Sequence, residues 1–368
     1  MESKHRTRRP GEQSRSAGHP KALAHGDGLG QPSPPARPVT IAACSTPRPP
    51  PGLAPEAALE WNLTAAAQLV AQAAAQGAEI ACLPEAFHRP GAEALPLEPL
   101  PDGPTARWCA SLARHHRLHL IAPLIGRFEG APRNTACWFD AQGRFAGAYA
   151  KVHLTTPELE SGLVPGDAWP VFAIPCRAAG IVRAGVFICF DLNFPEAARL
   201  LALGGAELLF HPTVYSMYGE TGWEAVLRAR AIDNCVYLCV VNHGIRDGEP
   251  WMPGMSLGRS GVVGPDGLTL AETGRYAGVA TATLDLARRR VVRSFGVAGE
   301  ADFRHELWRH RRPETYAAIV TPGTYLEEAG LAPAASAPAA SAPAPTRIGT
   351  CADWLEASTR LRRRIDGA

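Results

Sequence analysis

Gly185-Val-Phe-Ile-Cys-Phe-Asp-Leu-Asn-Phe-Pro-Glu196 is an apolar run that stops at a cysteine, turns polar and then meets a proline. A short continuous apolar run of this kind fits a strand covered on both faces, and a strand is expected over 181–190. Pro195 reads as the start of a helix, where its missing N–H costs nothing and its fixed φ is already helical. Strand, tight turn and helix in close succession are the connection of an α/β fold. Such a junction can present a side chain above the sheet, with neighbouring N–H groups free to bind an anion. A lone cysteine at the end of an apolar run is more often an inert core thiol, so Cys189 needs partners before it carries chemistry.

The same alternation extends outward. Strands are expected at 38–44, 79–83, 118–125, 170–175, 206–211 and 236–242. Leu59, Leu63, Ala66, Val70 and Ala73 recur at helical spacing in a helix that ends at Gly77. Further helices are expected near 105–116, 195–204 and 222–234. Residues 134–149 read as a hairpin around Asp140-Ala-Gln-Gly143, and 258–284 as a second, turning at Pro265-Asp-Gly267. Alternation with added hairpins predicts α/β with mixed sheets. Residues 1–37 are rich in Arg, Gly, Pro and Ser and read as a disordered N-terminal tail. Residues 329–368 read as an Ala/Pro-rich linker with a short C-terminal segment. One folded domain over 38–328 remains.

Composition narrows the function classes. Apolar residues are 46% and charged residues 20%, as in a globular protein with a sizeable core. A net charge of +2 gives no general attraction to nucleic acid, and the basic runs at 6–9 and 360–364 read as solvated tails. No stretch of about 18 apolar residues exists to span a membrane. No apolar segment follows the N-terminal charges as in a secretory signal. Nine cysteines without a CxxC pair imply reduced thiols and a cytoplasmic location. Cys235 and Cys239, like His115, His116 and His119, lack the further ligands a metal site needs.

Only three of the 37 basic residues are lysines, and Lys151 is the one outside the N-terminal tail. Lysine is a compact point charge, whereas arginine is a wide planar fork, so a lysine kept against that bias suggests a need for its shape. It ends an expected strand, as does Glu85 in Ile80-Ala-Cys-Leu-Pro-Glu85. Glu85, Lys151 and Cys189 together could perform acyl transfer. The thiol attacks a carbonyl, the carboxylate moves its proton, and the ammonium holds the oxyanion. A cation beside the cysteine is also expected to favour the thiolate.

The segments Leu83-Pro-Glu85, Lys151-Val-His-Leu154 with Pro165-Gly-Asp167, and Ile188-Cys-Phe-Asp-Leu-Asn-Phe-Pro-Glu196 resemble, in that order, the nitrilase superfamily of carbon–nitrogen hydrolases. His211-Pro-Thr213, Arg230-Ala-Ile-Asp-Asn234, Asn242 and the glycine-rich 258–267 extend the resemblance over about 38–290. It implies a four-layer αββα sandwich, with Glu85 as general base, Lys151 as oxyanion stabiliser and Cys189 as nucleophile. It also implies that the Phe190 amide completes the oxyanion hole. A second glutamate should follow the lysine, and Glu158 is preferred to Glu160. Residues 215–220, beginning with Tyr215, are expected to line the acyl pocket.

The family's nitrilases carry Trp-Glu after the cysteine. Phe190-Asp191 here favours a linear amide or carbamoyl substrate instead. No arginine stands at 192–194 to hold a carboxylate, which argues against the N-carbamoyl amino acid branch. The remaining alternatives are an N-carbamoyl compound hydrolase, a nitrilase, or a non-catalytic scaffold. The resemblance implies no metal or organic cofactor and a homo-oligomer of two or more subunits. His153 is expected to pack or hydrogen-bond, and Trp223 and Leu227 to lie in the core or against another subunit.

Overall fold

The computed structural model describes residues 35–214, 219–251, 258–288, 291–293 and 300–320. Tyr215 and nearly all of both expected tails lie outside them.

In the first half of the chain come β1 (Pro38–Ser45), α1 (Pro55–Ala75), β2 (Ile80–Cys82), β3 (Pro99–Leu100), α2 (Pro104–His116), β4 (His119–Phe128), β5 (Ala131–Phe139) and β6 (Phe145–Ala150). The second half begins with a short α3 (Thr156–Glu160), β7 (Val171–Cys176), β8 (Gly180–Val186), α4 (Pro195–Leu203) and β9 (Leu208–Pro212). It continues with α5 (Gly219–Asn234), β10 (Tyr237–Val241), β11 (Gly261–Val263), β12 (Thr269–Glu272) and β13 (Gly278–Asp285).

Two sheets result. One runs β13-β1-β2-β4-β5-β6, with β3 beside β4, and the other runs β12-β11-β10-β9-β8-β7. Each has a parallel centre from strand–helix–strand units and antiparallel flanks. Both sheets are therefore mixed, as the sequence pattern implies. The turn after β5 closes as read: Asp140 accepts from Gly143 N at 2.8 Å and donates its own N–H to Arg144 O at 2.9 Å.

Burial follows the two-residue period of a strand. On β1, Val39, Ile41 and Ala43 face the second sheet and meet Val186, Phe210 and Cys239 in the central core. Ala42 and Cys44 face the other way, into a layer with Ala66, Val70 and Ala73 of α1 and Cys109 of α2. Leu201 of α4 and Trp223 and Leu227 of α5 form the matching outer layer on the second sheet. The order is helix, sheet, sheet, helix. The alanines of α1 let it sit close on its sheet, and Gly77 ends it in the left-handed region at φ 85°.

The late segment departs from the reading of 258–284 as one hairpin. β11 and β12 pair around the Pro265–Gly267 turn, but β13 leaves that sheet and lies antiparallel beside β1 in the other. Its Ala280 and Leu284 are buried in the central core, so β13 ties the two halves together. Arg37, the last residue of the expected tail, is fixed at the start of β1, with its N–H donated to Asp285 Oδ1 at 2.8 Å.

Candidate active site

Glu85, Lys151 and Cys189 lie just beyond β2, β6 and β8. β6 is antiparallel to β5, which is antiparallel to β4, so β6 runs with β2 and β4 and ends on the same edge. The three residues, far apart in sequence, meet there.

Lys151 is 2% exposed and is surrounded by carboxylate oxygens. Its Nζ donates to Glu85 Oε1 at 2.8 Å and to Glu158 Oε1 and Oε2 at 2.9 and 2.8 Å. Asn134, on β5, donates its Nδ2 to Glu85 Oε1 and to Glu158 Oε1, both at 2.8 Å. A neutral donor between two carboxylates lets both face one ammonium. Glu85 Oε2 accepts the Val214 N–H at 2.9 Å. Cys189 Sγ lies 3.7 Å from Val214 O, so the thiol and the carboxylate share the backbone segment that follows β9.

Of the two glutamates after the lysine, Glu158 is the one at the site; Glu160 is exposed. Glu158 sits in the first turn of α3. Its Oε2 accepts the Thr155 N–H at 2.8 Å and the Thr155 hydroxyl at 2.9 Å, a capping box that fixes the carboxylate before it meets the lysine.

The electrostatics differ from expectation at the thiol. Burial and the Glu85 carboxylate push Cys189 up to about 12, and Lys151 and Thr213 only partly oppose them. The resting group is a thiol, not the thiolate expected from a neighbouring cation. The cause is first the burial of the sulfur and then the Glu85 charge: the Lys151 charge does lower the thiol, but less than these two raise it. Burial would lower Lys151, but Glu85, a charged Cys189 and Glu158 outweigh it and raise its pKa. Burial would raise Glu158, but the Lys151 charge and the hydrogen bonds from Lys151, Thr155 and Asn134 hold it below the usual carboxylate range.

The expected strand over 181–190 stops early, with β8 ending at Val186. Phe187 N still bonds Phe210 O at 3.1 Å, and then the chain turns. Cys189 takes φ 46°, the left-handed region, and opens a single 3₁₀ turn over Cys189–Asn193. A non-glycine residue there is strained unless its surroundings impose the conformation. Phe190 is the second residue of that turn, and its ring meets Phe194 edge-on at 5.5 Å.

Several residues at the site were not singled out from the sequence. Besides Asn134 they include Val214 and His243. His243 Nε2 lies 3.1 Å from Glu85 O, and its Nδ1 lies 3.2 Å from Thr46 Oγ1. Burial pulls His243 down to about 4, so it is neutral at neutral pH and acts as a wedge holding the Glu85 backbone. His153 both packs and bonds: its ring stacks on Phe194 at 3.6 Å, and Nδ1 lies 2.8 Å from Asp191 Oδ1. His115 and His116 lie on α2 with rings 4.7 Å apart, while buried His119 faces Pro175 O at 3.2 Å.

Known proteins resemble this chain over most of its length. A family model described as carbon–nitrogen hydrolase matches residues 40–294. The omega-amidase NIT2 of Homo sapiens is 30% identical over 269 residues, covering 70% of this chain and 91% of its own length. The omega-amidase NIT2 of Xenopus tropicalis is 32% identical over 238 residues, covering 61% and 83%. Among solved structures, a cysteine-to-alanine mutant of the Nesterenkonia AN1 amidase, from the nitrilase superfamily, superposes with a TM-score of 0.58 at 28% identity. That match covers 79% of this chain and 100% of the amidase. A glutamate mutant of the same amidase carries the acetamide moiety of fluoroacetamide on its active-site cysteine; its TM-score is 0.57 at 26% identity, covering 76% and 97%.

Proposed function

Because this chain belongs to the carbon–nitrogen hydrolases of the nitrilase superfamily, we propose that it hydrolyses a small linear amide through a thioester on Cys189. Glu85 takes the thiol proton as Sγ attacks the carbonyl carbon. A thiol pushed up to about 12 needs such a base beside it. The carbonyl electrons move onto oxygen, where Lys151 Nζ and the Phe190 amide receive the charge. The tetrahedral adduct collapses, the C–N bond breaks, and the amine leaves with the proton from Glu85. Water then attacks the thioester as Glu85 takes its proton. The carboxylic acid departs and the thiol regains its hydrogen. Glu158 holds Lys151 in place throughout. Each step uses these side chains, the Phe190 amide and water.

The observation that carries this reading is the close contact of Lys151 Nζ with three carboxylate oxygens, all within 2.9 Å, next to the half-buried thiol of Cys189. The relatives named omega-amidase support an amide over a nitrile or an N-carbamoyl compound. The reading includes a homo-oligomer in the cytoplasm, and sedimentation of the pure chain tests the first part. No described helix is long and apolar enough to cross a membrane.

The test is Cys189→Ala, assayed for ammonia release over a panel of amides, nitriles and carbamoyl compounds. Activity on the preferred amide should fall by about 10⁴-fold or more, since no other group supplies the nucleophile. Activity that persists in the pure variant rules out the thioester route.

A further inference from the structure

Asp191 is fully buried and takes no part in the chemistry proposed above, yet its carboxylate meets four donors from two different segments. From the lysine segment, Tyr149 OH donates to Oδ2 at 2.6 Å, His153 N to Oδ1 at 2.9 Å, and His153 Nδ1 lies 2.8 Å from Oδ1. From the cysteine segment, Ile188 N donates to Oδ2 at 2.8 Å. Tyr149 OH also accepts the Val152 N–H at 3.1 Å. The backbone on both sides of Lys151 and the residue before Cys189 are therefore tied to one carboxylate.

We propose that Asp191 is a positioning residue, a brace that sets Lys151 against Cys189 and holds the strained turn at the nucleophile. The inference rests on Cys189 and Lys151 acting as proposed above. At the turn, Asp191 closes a small ring with Ile188: its side chain accepts Ile188 N, and its own N–H donates to Ile188 O at 3.0 Å. That ring spans Cys189 and holds it at φ 46°. The same conformation aims the following Phe190 amide. Packing keeps the brace stiff, because the His153 ring lies flat on Phe194, with an interplanar angle of 8°. Tyr149 is stacked on Trp169 at 5.3 Å.

Only a carboxylate fits these four donors. Asparagine has the same shape but offers one oxygen and turns an N–H₂ toward N–H or O–H groups. The mismatch falls on the geometry between the two reacting groups rather than on the amide pocket, so it should appear in kcat and not in KM.

The experiment compares the full-length chain with Asp191→Asn, Tyr149→Phe and the double variant, measuring kcat, KM and thermal midpoint on the best amide. Asp191→Asn should lower kcat about 100-fold and move KM less than about threefold, as a small misplacement of reacting groups does. Tyr149→Phe should lower kcat about tenfold, and the double variant should be no worse than Asp191→Asn alone, because both act through one brace. A kcat within about threefold of wild type for Asp191→Asn overturns the proposal. If that variant does not fold, Tyr149→Phe decides alone, and a kcat within about twofold of wild type overturns it. Losses that simply multiply in the double variant also overturn it. None of these outcomes bears on the nucleophile, which Cys189→Ala tests separately.

Discussion

Two cation sites stand at opposite ends of the sandwich and use the two basic side chains differently. At the start of β1, Arg37 spreads its guanidinium over four acceptors. Nε donates to Ala179 O at 3.0 Å, one NH₂ group to Ile181 O at 2.6 Å and to Glu207 Oε2 at 3.2 Å, and the other to Glu207 Oε1 at 2.5 Å. This planar fork joins the N-terminal strand to the second sheet, and its side chain is still 32% exposed. At the catalytic edge, Lys151 has a side chain 1% exposed and gathers carboxylates alone. A fork that needs several fixed acceptors makes a clamp. A point charge with rotatable donors can keep one carboxylate and turn toward a new oxyanion. On the proposed mechanism, this difference would account for a lysine at this position in a chain so rich in arginine.

The largest effect expected from this comparison is at the lysine end. Lys151→Arg should stay folded but lose about 10³-fold or more in kcat/KM, because the wider head displaces the Glu85 and Glu158 carboxylates that hold the cation. Reversing the exchange at the other end should matter far less. Arg37→Lys loses its fork and with it the bonds to Ala179 and Ile181. It should cost about 1–2 kcal/mol in urea unfolding, with kcat per folded molecule unchanged. A large loss of kcat in Arg37→Lys would break the division of labour between the two ends.

A third effect concerns pH and acts on stability rather than on rate. Both cations have raised pKa values, so their stabilisation is present below the unfolded value and is lost only as pH rises through the folded one. Neither contributes to acid lability, and Glu158, held low, loses its share only in strong acid. Buried histidines act first. Burial pulls His243 to about 4 and His88 and His211 to about 3, from 6.5. Below 6.5 the unfolded chain binds protons that the folded chain refuses, so the stability present above 6.5 is lost as pH falls toward 3–4. Each such proton gives a slope of about 1.4 kcal/mol per pH unit. His243→Asn should remove one proton's worth of that slope between pH 6 and 4 in urea titrations, and an unchanged slope would place His243 in a charged state.

The two ends also differ in how readily the sequence reveals them. The strand–helix alternation, the Asp140–Gly143 turn and the order Glu85, Lys151, Cys189 are local signals, and the structure brings those three residues together. The choice between Glu158 and Glu160 was also within reach, because Thr155 three residues before Glu158 is the spacing of a capping box. Asn134 and His243 were not, since a polar residue inside or just after an apolar strand shows its partner only once another strand is placed beside it. β13 was misread for the same reason: a strand's pattern records that it is buried but not which sheet receives it. The state of the Cys189 thiol failed on a third ground, because the packing that desolvates the sulfur outweighs a nearby cation and cannot be read from the local sequence.

The most direct test of the central claim is the rate of acylation in Lys151→Arg. Enzyme in excess is mixed with the preferred amide, and the first turnover of amine is followed by quench. If the lysine is needed as a point charge on the oxyanion, amine release in that turnover should slow about 10³-fold or more while amide binding and the thermal midpoint stay close to wild type. Acylation within about tenfold of wild type in a folded Lys151→Arg would show that any cation serves there, and would contradict the account.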